Sequence, residues 1–273
     1  MKRRLRMAAL VLILCIGLGL IAYPFVSYLI NQMLQGSVIQ NYKTAVSTLS
    51  EEEAAAELEA AQAYNDSLKS NVVLTDPFDS SALQKTTTQY HSLLNMTEDG
   101  IMGYVKIPKI SVNLPIYHGT GEDVLRLGAG HLEGTSLPIG GEGNHTVLSA
   151  HTGLPTARMF DRLTDIEIGD VFYISVLRDT LAYEVDQIMV VTPDDIRELR
   201  DDPNEDYATL VTCTPYGVNS HRILVRGYRI PYDPDTGEGY IVWVFPGILI
   251  CVVFILGFGV RKVRKAKKKK GRE

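Results

Sequence analysis

Two long runs without charged residues divide this chain and limit what it can fold into. The first covers residues 8–30, and the second covers residues 240–260 and carries Tyr240 and Trp243 near one end. An α-helix needs about 20 apolar residues to cross the hydrocarbon layer of a membrane, and aromatic residues are common where such a helix meets the headgroups. We therefore expect two transmembrane helices, with the folded part of the chain between them.

The first run has a second interpretation, as a cleaved signal peptide, because the basic segment MKRRLR precedes it. No cleavage site built of small residues is obvious after the apolar stretch, and this favours a retained anchor. The second run could be a buried core helix, but its 21 uncharged residues are followed by a dense basic tail, which favours a membrane span.

Basic residues on the outer flanks of both runs predict the orientation of the chain. The flanks at residues 1–7 and 261–273 hold 13 of the 27 basic residues but only one of the 32 acidic ones. Because basic flanks stay on the cytoplasmic side, we expect both termini there and the intervening region outside. The rest of the chain has a net charge of −17, so it should not bind nucleic acid. Topology and contact with anionic lipid explain the basic tail better than a nucleic-acid patch does.

Cysteine usage singles out Cys213. The other two cysteines, Cys15 and Cys251, lie inside the apolar runs, where small packing residues are expected. Cys213 is then the only cysteine predicted outside the membrane, and it has no partner in the chain for a disulfide. An unpaired external thiol indicates either intermolecular pairing or a reactive group.

Between the apolar runs the sequence changes from helical to β-rich. Ser50 and Glu53 form a capping box at the start of a segment rich in helix formers, and residues 37–70 are expected to be helical. From residue 101 onward, seven or eight short β-rich runs alternate with turn residues, which predicts a mainly β sandwich or closed barrel. Three short helical inserts are expected at Glu122–Leu127, Ala157–Leu163 and Pro193–Leu199.

The segment after Cys213 supplies two candidate partners. Cys213 ends the strand-like run YATLVTC, and RILVRGYR returns as a second strand after a turn. Two strands joined in this way are usually antiparallel neighbours. Alternation places Arg222 and Arg226 on one face of the second strand, so either can approach the thiol. Arg222 lies nearer the turn, but spacing alone does not separate the two, and each also fits a surface salt bridge.

Six histidines compete for the role of proton-transfer residue. His151 closes the strand-like run TVLSAH before a loop, and this makes it the first candidate. The other five are interpreted as solvated, loop or opposite-face residues: His91, His118, His131, His145 and His221. One external cysteine and no close pair of histidines argue against zinc, and no phosphate-binding loop is present, so no metal or cofactor is expected.

Three segments together resemble the sortases, transpeptidases of Gram-positive bacteria. They are TLVTCTPYGVNSHRILVRG around Cys213, HTVLSAHTGLPTARMFDRL around His151, and GHLEGTSLPIGG before it. The resemblance covers most of residues 100–229. It is greatest to the pilus-assembling class C enzymes, in which a C-terminal spanning helix is typical. It implies a closed sortase β-barrel with Cys213 as nucleophile, His151 as proton-transfer residue and Arg222 as transition-state stabiliser.

The polar segment at residues 71–99 also matches this class. Class C sortases are similar to one another in having a lid that carries an Asp-Pro-aromatic triplet. This chain has a matching triplet in the consecutive residues Asp76, Pro77 and Phe78. The resemblance implies that Asp76 pairs with Arg222 and that Phe78 covers the thiol, while Pro77 restricts the loop. By itself, Asp-Pro is also a common start of a turn.

These interpretations predict an ordered series of parts along the chain. They are a cytoplasmic basic tail at 1–7, a transmembrane helix at 8–30, an external helical segment at 31–70, a lid at 71–99, a catalytic barrel at 100–232, a linker at 233–239, a transmembrane helix at 240–260 and a basic cytoplasmic tail at 261–273.

The resemblance implies acyl transfer from an LPxTG-like sorting signal of one pilin subunit to an acceptor lysine of the next. The first alternative is a sortase that attaches surface proteins to the cell wall, with a peptidoglycan amine as acceptor. A general cysteine protease and a non-catalytic, membrane-tethered adhesin are further alternatives. Besides the pilin subunits, membrane lipid is the partner expected.

Overall fold

The computed structural model describes most of the chain. The described residues are 2–68, 76–78, 88–97, 99–154, 157–195, 197–199 and 202–234. They all belong to one unit, Met1–Gly237. The predicted transmembrane helix at 240–260 and the basic tail at 261–273 lie outside the described residues, as do parts of the predicted lid segment.

Two long helices precede the sheet: α1 (Lys2–Thr48) and α2 (Glu51–Leu68). α2 begins at the predicted capping box, where the Glu53 N–H donates to Ser50 Oγ at 3.1 Å and the Ser50 N–H donates to the Glu53 carboxylate at 2.8 Å. This cap also separates the two helices, so the helical region predicted at 37–70 is divided between α1 and α2 as far as Leu68, the last described residue of that region. Within the described part of the chain, α1 is the one helix long and apolar enough to cross a membrane.

Eight strands form a closed barrel, which confirms the predicted mainly β fold. In chain order they are β1 (Ile101–Ile107), β2 (Val112–His118), β3 (Ala129–His131), β4 (Asn144–Ser149), β5 (Val171–Val176), β6 (Asp179–Val191), β7 (Asp206–Thr214) and β8 (His221–Ile230). Around the barrel the order is β1-β2-β3-β4-β7-β8-β6-β5, and antiparallel pairing of β5 with β1 closes it. Two neighbouring pairs, β2–β3 and β4–β7, are parallel.

Short helical elements lie between the strands. The α-helical ones are α3 (Thr88–Ser92) and α4 (Glu122–Leu125), and 3₁₀ turns occur at Pro108–Ile110, Leu163–Asp165 and Arg197–Leu199. The helix predicted over Ala157–Leu163 is wrong. Those residues form bends and turns because the Asp161 carboxylate accepts hydrogen bonds from the N–H groups of Gly153 and Met159, at 2.7 and 2.9 Å. This keeps the loop after β4 irregular.

α1 is bound to the barrel near its C-terminal end by Tyr42. The buried Tyr42 hydroxyl donates to the backbone O of Met102 in β1 at 2.9 Å and accepts from the N–H of Leu177, after β5, at 2.7 Å. Burial raises the pKa of Tyr42, so the hydroxyl keeps its proton and both hydrogen bonds.

Three histidines that were interpreted as loop residues lie instead in strands, where their side chains are buried: His118, His131 and His145. The interpretation was wrong because neighbouring Gly and Asn residues suggested turns, whereas strand pairing continues through them. Each ring has a partner: the Leu93 O for His118, the Tyr90 hydroxyl for His131 and Thr209 Oγ1 for His145. Burial lowers the pKa of His131 to about 4, so this ring is neutral at pH 7. All three rings are thus buried and hydrogen-bonded within the fold.

Candidate active site

Cys213 and Arg222 lie directly opposite each other on two antiparallel strands. The register of β7 and β8 pairs Cys213 with Arg222 and pairs Thr209 with Arg226. The Arg226 guanidinium is bound by both oxygens of Asp186, at 2.6 and 3.2 Å. Strand register therefore decides between the two arginines, since Arg222 lies beside the thiol while Arg226 is held four positions away.

His151 reaches the same edge of the barrel through the parallel pairing of β4 and β7. Ser149, the last residue of β4, pairs with Val211 of β7. His151 and Cys213 each lie two residues further along the chain in the same direction. Parallel pairing therefore brings both side chains to one edge, although 62 positions separate them in the sequence.

Two polar residues that sequence reasoning missed lie next to His151. The buried Thr212 hydroxyl donates to the backbone O of Ala150 at 2.6 Å, which holds the end of β4 against β7. Glu122, the first residue of α4, has its Oε2 atom 3.2 Å from His151 Nε2. This distance allows an ion pair when His151 is protonated, although Nε2 forms no hydrogen bond within the described residues.

The Glu122 carboxylate is held in its charged form beside His151. Arg126 Nε donates to Glu122 Oε1 at 2.8 Å, and this hydrogen bond lowers the pKa of Glu122, with a further contribution from His151. The sequence offered a signal for Thr212, which is its position directly before Cys213. It offered no signal for Glu122, because nothing in the spacing of Glu122 connects it with His151.

The Asp-Pro-Phe triplet at residues 76–78 contacts this edge. Asp76 accepts two hydrogen bonds from Arg222, from Nε at 2.9 Å and from Nη2 at 2.6 Å. Both side chains are nearly buried, with 12% of Asp76 and 10% of Arg222 exposed. Arg222 Nη1 donates to the backbone O atoms of Asn219 and His221, both at 3.1 Å. All three guanidinium nitrogens are therefore engaged within the protein.

The Phe78 ring lies close to both His151 and Arg222. Its centroid is 6.1 Å from the centroid of the His151 ring and 5.1 Å from the guanidinium carbon of Arg222. It also packs on a small apolar cluster that includes Val211 and Leu224, one from each of the paired strands β7 and β8. Its N–H group donates to Asp76 Oδ1 at 3.3 Å, so the triplet forms a tight turn over the site.

The electrostatics of the site keep the thiol protonated. Burial raises the pKa of Cys213, the charge of Arg222 lowers it, and the charge of Asp76 raises it again. Asp76 thus opposes the effect of Arg222 on the thiol. Burial, the largest of these effects, and the Asp76 charge both favour the thiol over the thiolate, which is the nucleophilic form.

The described residues contain no group of three or more His, Cys, Asp or Glu side chains placed to hold a metal ion. The edge of the barrel combines a thiol, an imidazole at the end of a neighbouring strand and a guanidinium opposite the thiol. This is the set needed for nucleophilic acyl transfer.

Comparison with known proteins shows which family this chain resembles. A family model described as the Sortase domain matches residues 105–230. Sortase C-1 of Streptococcus pneumoniae is 48% identical and superposes with a TM-score of 0.67 over 72% of this chain and 100% of that one. The pilus-related sortase C of Group B Streptococcus is 47% identical, with a TM-score of 0.65 over 71% of this chain and 97% of that one.

A curated relative, Sortase A of Streptococcus agalactiae, is 32% identical over 117 residues, which span 42% of this chain and 47% of the relative. The chain thus spans about half the length of that relative, whereas it covers the whole of the solved pneumococcal chain at higher identity. Because the match covers the whole of that solved chain at 48% identity, this chain belongs to the sortase family, and its structural neighbours are class C pilus sortases.

Proposed function

We propose that this sortase is a membrane-anchored cysteine transpeptidase that polymerises pilin subunits. It cleaves an LPxTG-like sorting signal between Thr and Gly and transfers the new acyl end to a lysine of another pilin. The observation that carries the proposal is the position of Cys213 opposite Arg222 and at the same barrel edge as His151.

The first step forms a thioester. Cys213 gives its proton to His151, and Sγ attacks the carbonyl carbon of the threonine. The bond from that carbon to the glycine nitrogen breaks, and the protonated His151 gives its proton to the leaving amine. Arg222 donates hydrogen bonds to the carbonyl oxygen, on which negative charge develops.

The second step releases the enzyme. The neutral amine of a pilin lysine attacks the thioester carbon, an isopeptide bond forms, and the bond to Sγ breaks. The amine loses a proton to His151, from which Cys213 regains it as a thiol. As proposed, neither step uses a metal or a cofactor.

Asp76, Pro77 and Phe78 act in this proposal as a lid. Asp76 occupies Nε and Nη2 of Arg222, the groups required for the developing oxyanion, while Phe78 lies near His151. Substrate must therefore displace the lid before Arg222 can contact it. The closed lid protects a reactive thiol when no sorting signal is bound.

Membrane anchoring in this proposal uses residues 8–30 of α1 and the predicted span at 240–260. Both termini are cytoplasmic, and the barrel is outside. α1 supports the proposed span at residues 8–30, because it is long and apolar enough to cross the bilayer and its described side chains between those residues are largely exposed. Anchoring enzyme and substrate to one surface raises their effective concentration.

The test of the proposal is incubation of the chain with an LPxTG peptide and candidate acceptors, followed by mass spectrometry. An amide bond to a pilin lysine Nζ supports pilus assembly. A bond to a peptidoglycan amine instead supports the cell-wall alternative. Hydrolysis that is unaffected by the acceptor indicates a protease, and the absence of any thioester adduct indicates a non-catalytic role.

Lid variants are expected to make the thiol more reactive. Asp76→Asn removes the carboxylate charge that raises the pKa of Cys213 and weakens the contact with Arg222. We expect alkylation by iodoacetamide at pH 7 to become severalfold faster and the midpoint of the pH–rate profile to fall, because the loss of this charge lowers the pKa of the thiol and because the weaker contact leaves the thiol more accessible.

Phe78→Ala keeps the Asp76 charge. It therefore tests whether the Phe78 ring restricts access to the thiol, separately from the effect of Asp76 on the thiol pKa. We expect it to raise the limiting alkylation rate at high pH, where the thiol is ionised in either protein. Asp186→Asn is the matched control, because it breaks the similar ion pair with Arg226 away from the thiol. Unchanged alkylation in both lid variants would exclude a lid at residues 76–78.

A further inference from the structure

α1 follows the side of the barrel from one end to the other. Its C-terminal end lies at the end of the barrel opposite the active site. There, Tyr42 bonds Leu177, and the backbone O of Leu49 accepts a hydrogen bond from Arg178, in the turn after β5. This end of α1 is therefore remote from Cys213.

Further toward its N-terminus, α1 contacts the active-site end. Gln35 Nε2 donates to the backbone O of Leu127, just after α4, at 3.3 Å. The Tyr28 ring lies 4.9 Å from the guanidinium carbon of Arg158, in the loop that begins at His151. At about 1.5 Å of rise per residue, Tyr28 lies about 21 Å before Tyr42 along the helix axis.

The apolar surface of α1 extends to this same level. Residues 8–30 have a length of about 34 Å as a helix, close to the thickness of the hydrocarbon layer, so Tyr28 falls near its outer boundary. Several apolar side chains around that level are at least half exposed: Phe25, Val26, Ile30, Met33 and Leu34. A bilayer that covers them also reaches the loop of Arg158.

Other exposed apolar side chains surround the active site. Leu127 is 56% exposed, and Tyr216 and Val218, in the turn between β7 and β8, are each 69% exposed. The Tyr216 ring lies against Gly153, two residues after His151, where an added Cβ would be 3.4 Å from the ring. We call Leu127, Arg158, Tyr216 and Val218 the membrane rim.

The chemistry of the membrane rim fits the interface of a bilayer. Apolar and aromatic side chains enter the boundary between headgroups and acyl chains, and a single arginine can reach the phosphates. Glu122 and Asp123, on the neighbouring α4, carry negative charge at the same edge. The contact therefore depends on insertion of apolar side chains rather than on attraction to anionic lipid.

We infer that the membrane rim rests in the headgroup layer of the outer leaflet, so that the active site opens toward the bilayer surface. The inference rests on the proposed membrane anchoring of α1 and adds the orientation of the barrel. Its consequence is that a sorting signal held close to the membrane reaches Cys213 without moving far from the surface. A barrel held with its other end toward the bilayer would require a long extended substrate.

The test measures the depth of a fluorescent label in phosphatidylcholine vesicles. The full chain, with Cys15, Cys213 and Cys251 replaced by alanine, carries either Val218→Cys or Asn204→Cys for labelling. Asn204 is exposed just before β7, about 30 Å from the far end of that strand, and serves as the matched control. Lipid with a nitroxide on its headgroup should quench the label at 218 about twofold, because interfacial side chains lie within about 10 Å of the headgroups, and leave the label at 204 unaffected.

Changes in the membrane rim should reduce this quenching. We expect Leu127→Ser combined with Arg158→Gln to weaken quenching at 218. Lys43→Gln should leave the quenching unchanged. It removes a similar cation–π contact, with Tyr104, but Lys43 lies about 22 Å beyond Tyr28 along α1. Equal quenching at 218 and 204, or quenching that is insensitive to the rim variants, would overturn the inference.

The experiment distinguishes an error in the proposed membrane anchoring from an error in the inferred orientation of the barrel. Protein that does not float with the vesicles would contradict the proposed membrane anchoring itself. Protein that floats without quenching at 218 retains the anchor but not the orientation. Transfer of a soluble LPxTG peptide by the unlabelled chain tests the proposed reaction independently of both.

Discussion

Cys213→Ala is expected to reduce transfer of an LPxTG peptide by a factor of about 10⁴ or more, because it removes the proposed nucleophile. The substitution deletes one sulfur atom from a half-buried side chain at a strand end. The backbone pairing of β7 with β4 and β8 does not depend on that atom. The midpoint of thermal unfolding should therefore change little, and the variant should still bind the peptide.

Mass spectrometry of the peptide product measures this loss, and a trapped thioester on the unaltered chain identifies the reacting sulfur. Cys15→Ala is the matched control, since it removes an exposed thiol from the apolar part of α1 and should retain full activity. Transfer by Cys213→Ala at a rate within tenfold of the unaltered chain would require another nucleophile.

Arg222→Lys is expected to lower transfer by about 10² to 10³ while making the thiol more accessible. Lysine keeps the positive charge but cannot reproduce the two parallel hydrogen bonds that the guanidinium makes with Asp76. The lid contact is then weakened, and alkylation of Cys213 should become faster. If Arg222 only held the lid closed, its substitution would make alkylation faster without slowing the chemical step.

A double variant separates the two roles of Arg222. In an Asp76→Asn background the lid contact is already weakened, so Arg222→Lys should cause little further gain in alkylation but nearly the same loss of transfer. Arg226→Lys provides the control, because that arginine lies on the same face of β8 and binds Asp186 in the same bidentate way. If Arg222→Lys does not slow transfer in this background, its role is confined to holding the lid.

Local sequence features predicted much of the fold. The capping box at Ser50 and Glu53 correctly predicted where α2 begins, because its hydrogen bonds join residues only three apart. The eight strands were within the expected seven or eight, because alternation is visible within each strand. The helix expected over Ala157–Leu163 failed, since the Asp161 carboxylate binds backbone N–H groups that lie before it in the same loop.

The candidate site was predictable in part. Cysteine counting pointed to Cys213, and the end of a strand-like run pointed to His151. The roles of Cys213, His151 and Arg222 stay predictions until the variants are measured. The contact of Glu122 with His151 could not be predicted, because α4 and the end of β4 meet only after β2, β3 and β4 have paired.

The sequence by itself determined the apolar length of α1, the position of Cys213 as the one cysteine outside the two apolar runs, and the β character of the region after residue 100. These are properties of composition and of short-range periodicity. The tertiary structure decided which arginine lies opposite Cys213, that His151 reaches the same edge, and that Asp76 occupies Arg222. Each of these depends on strand register or on contact between distant segments, and such contacts are set by the closure of the barrel rather than by any local pattern of residues.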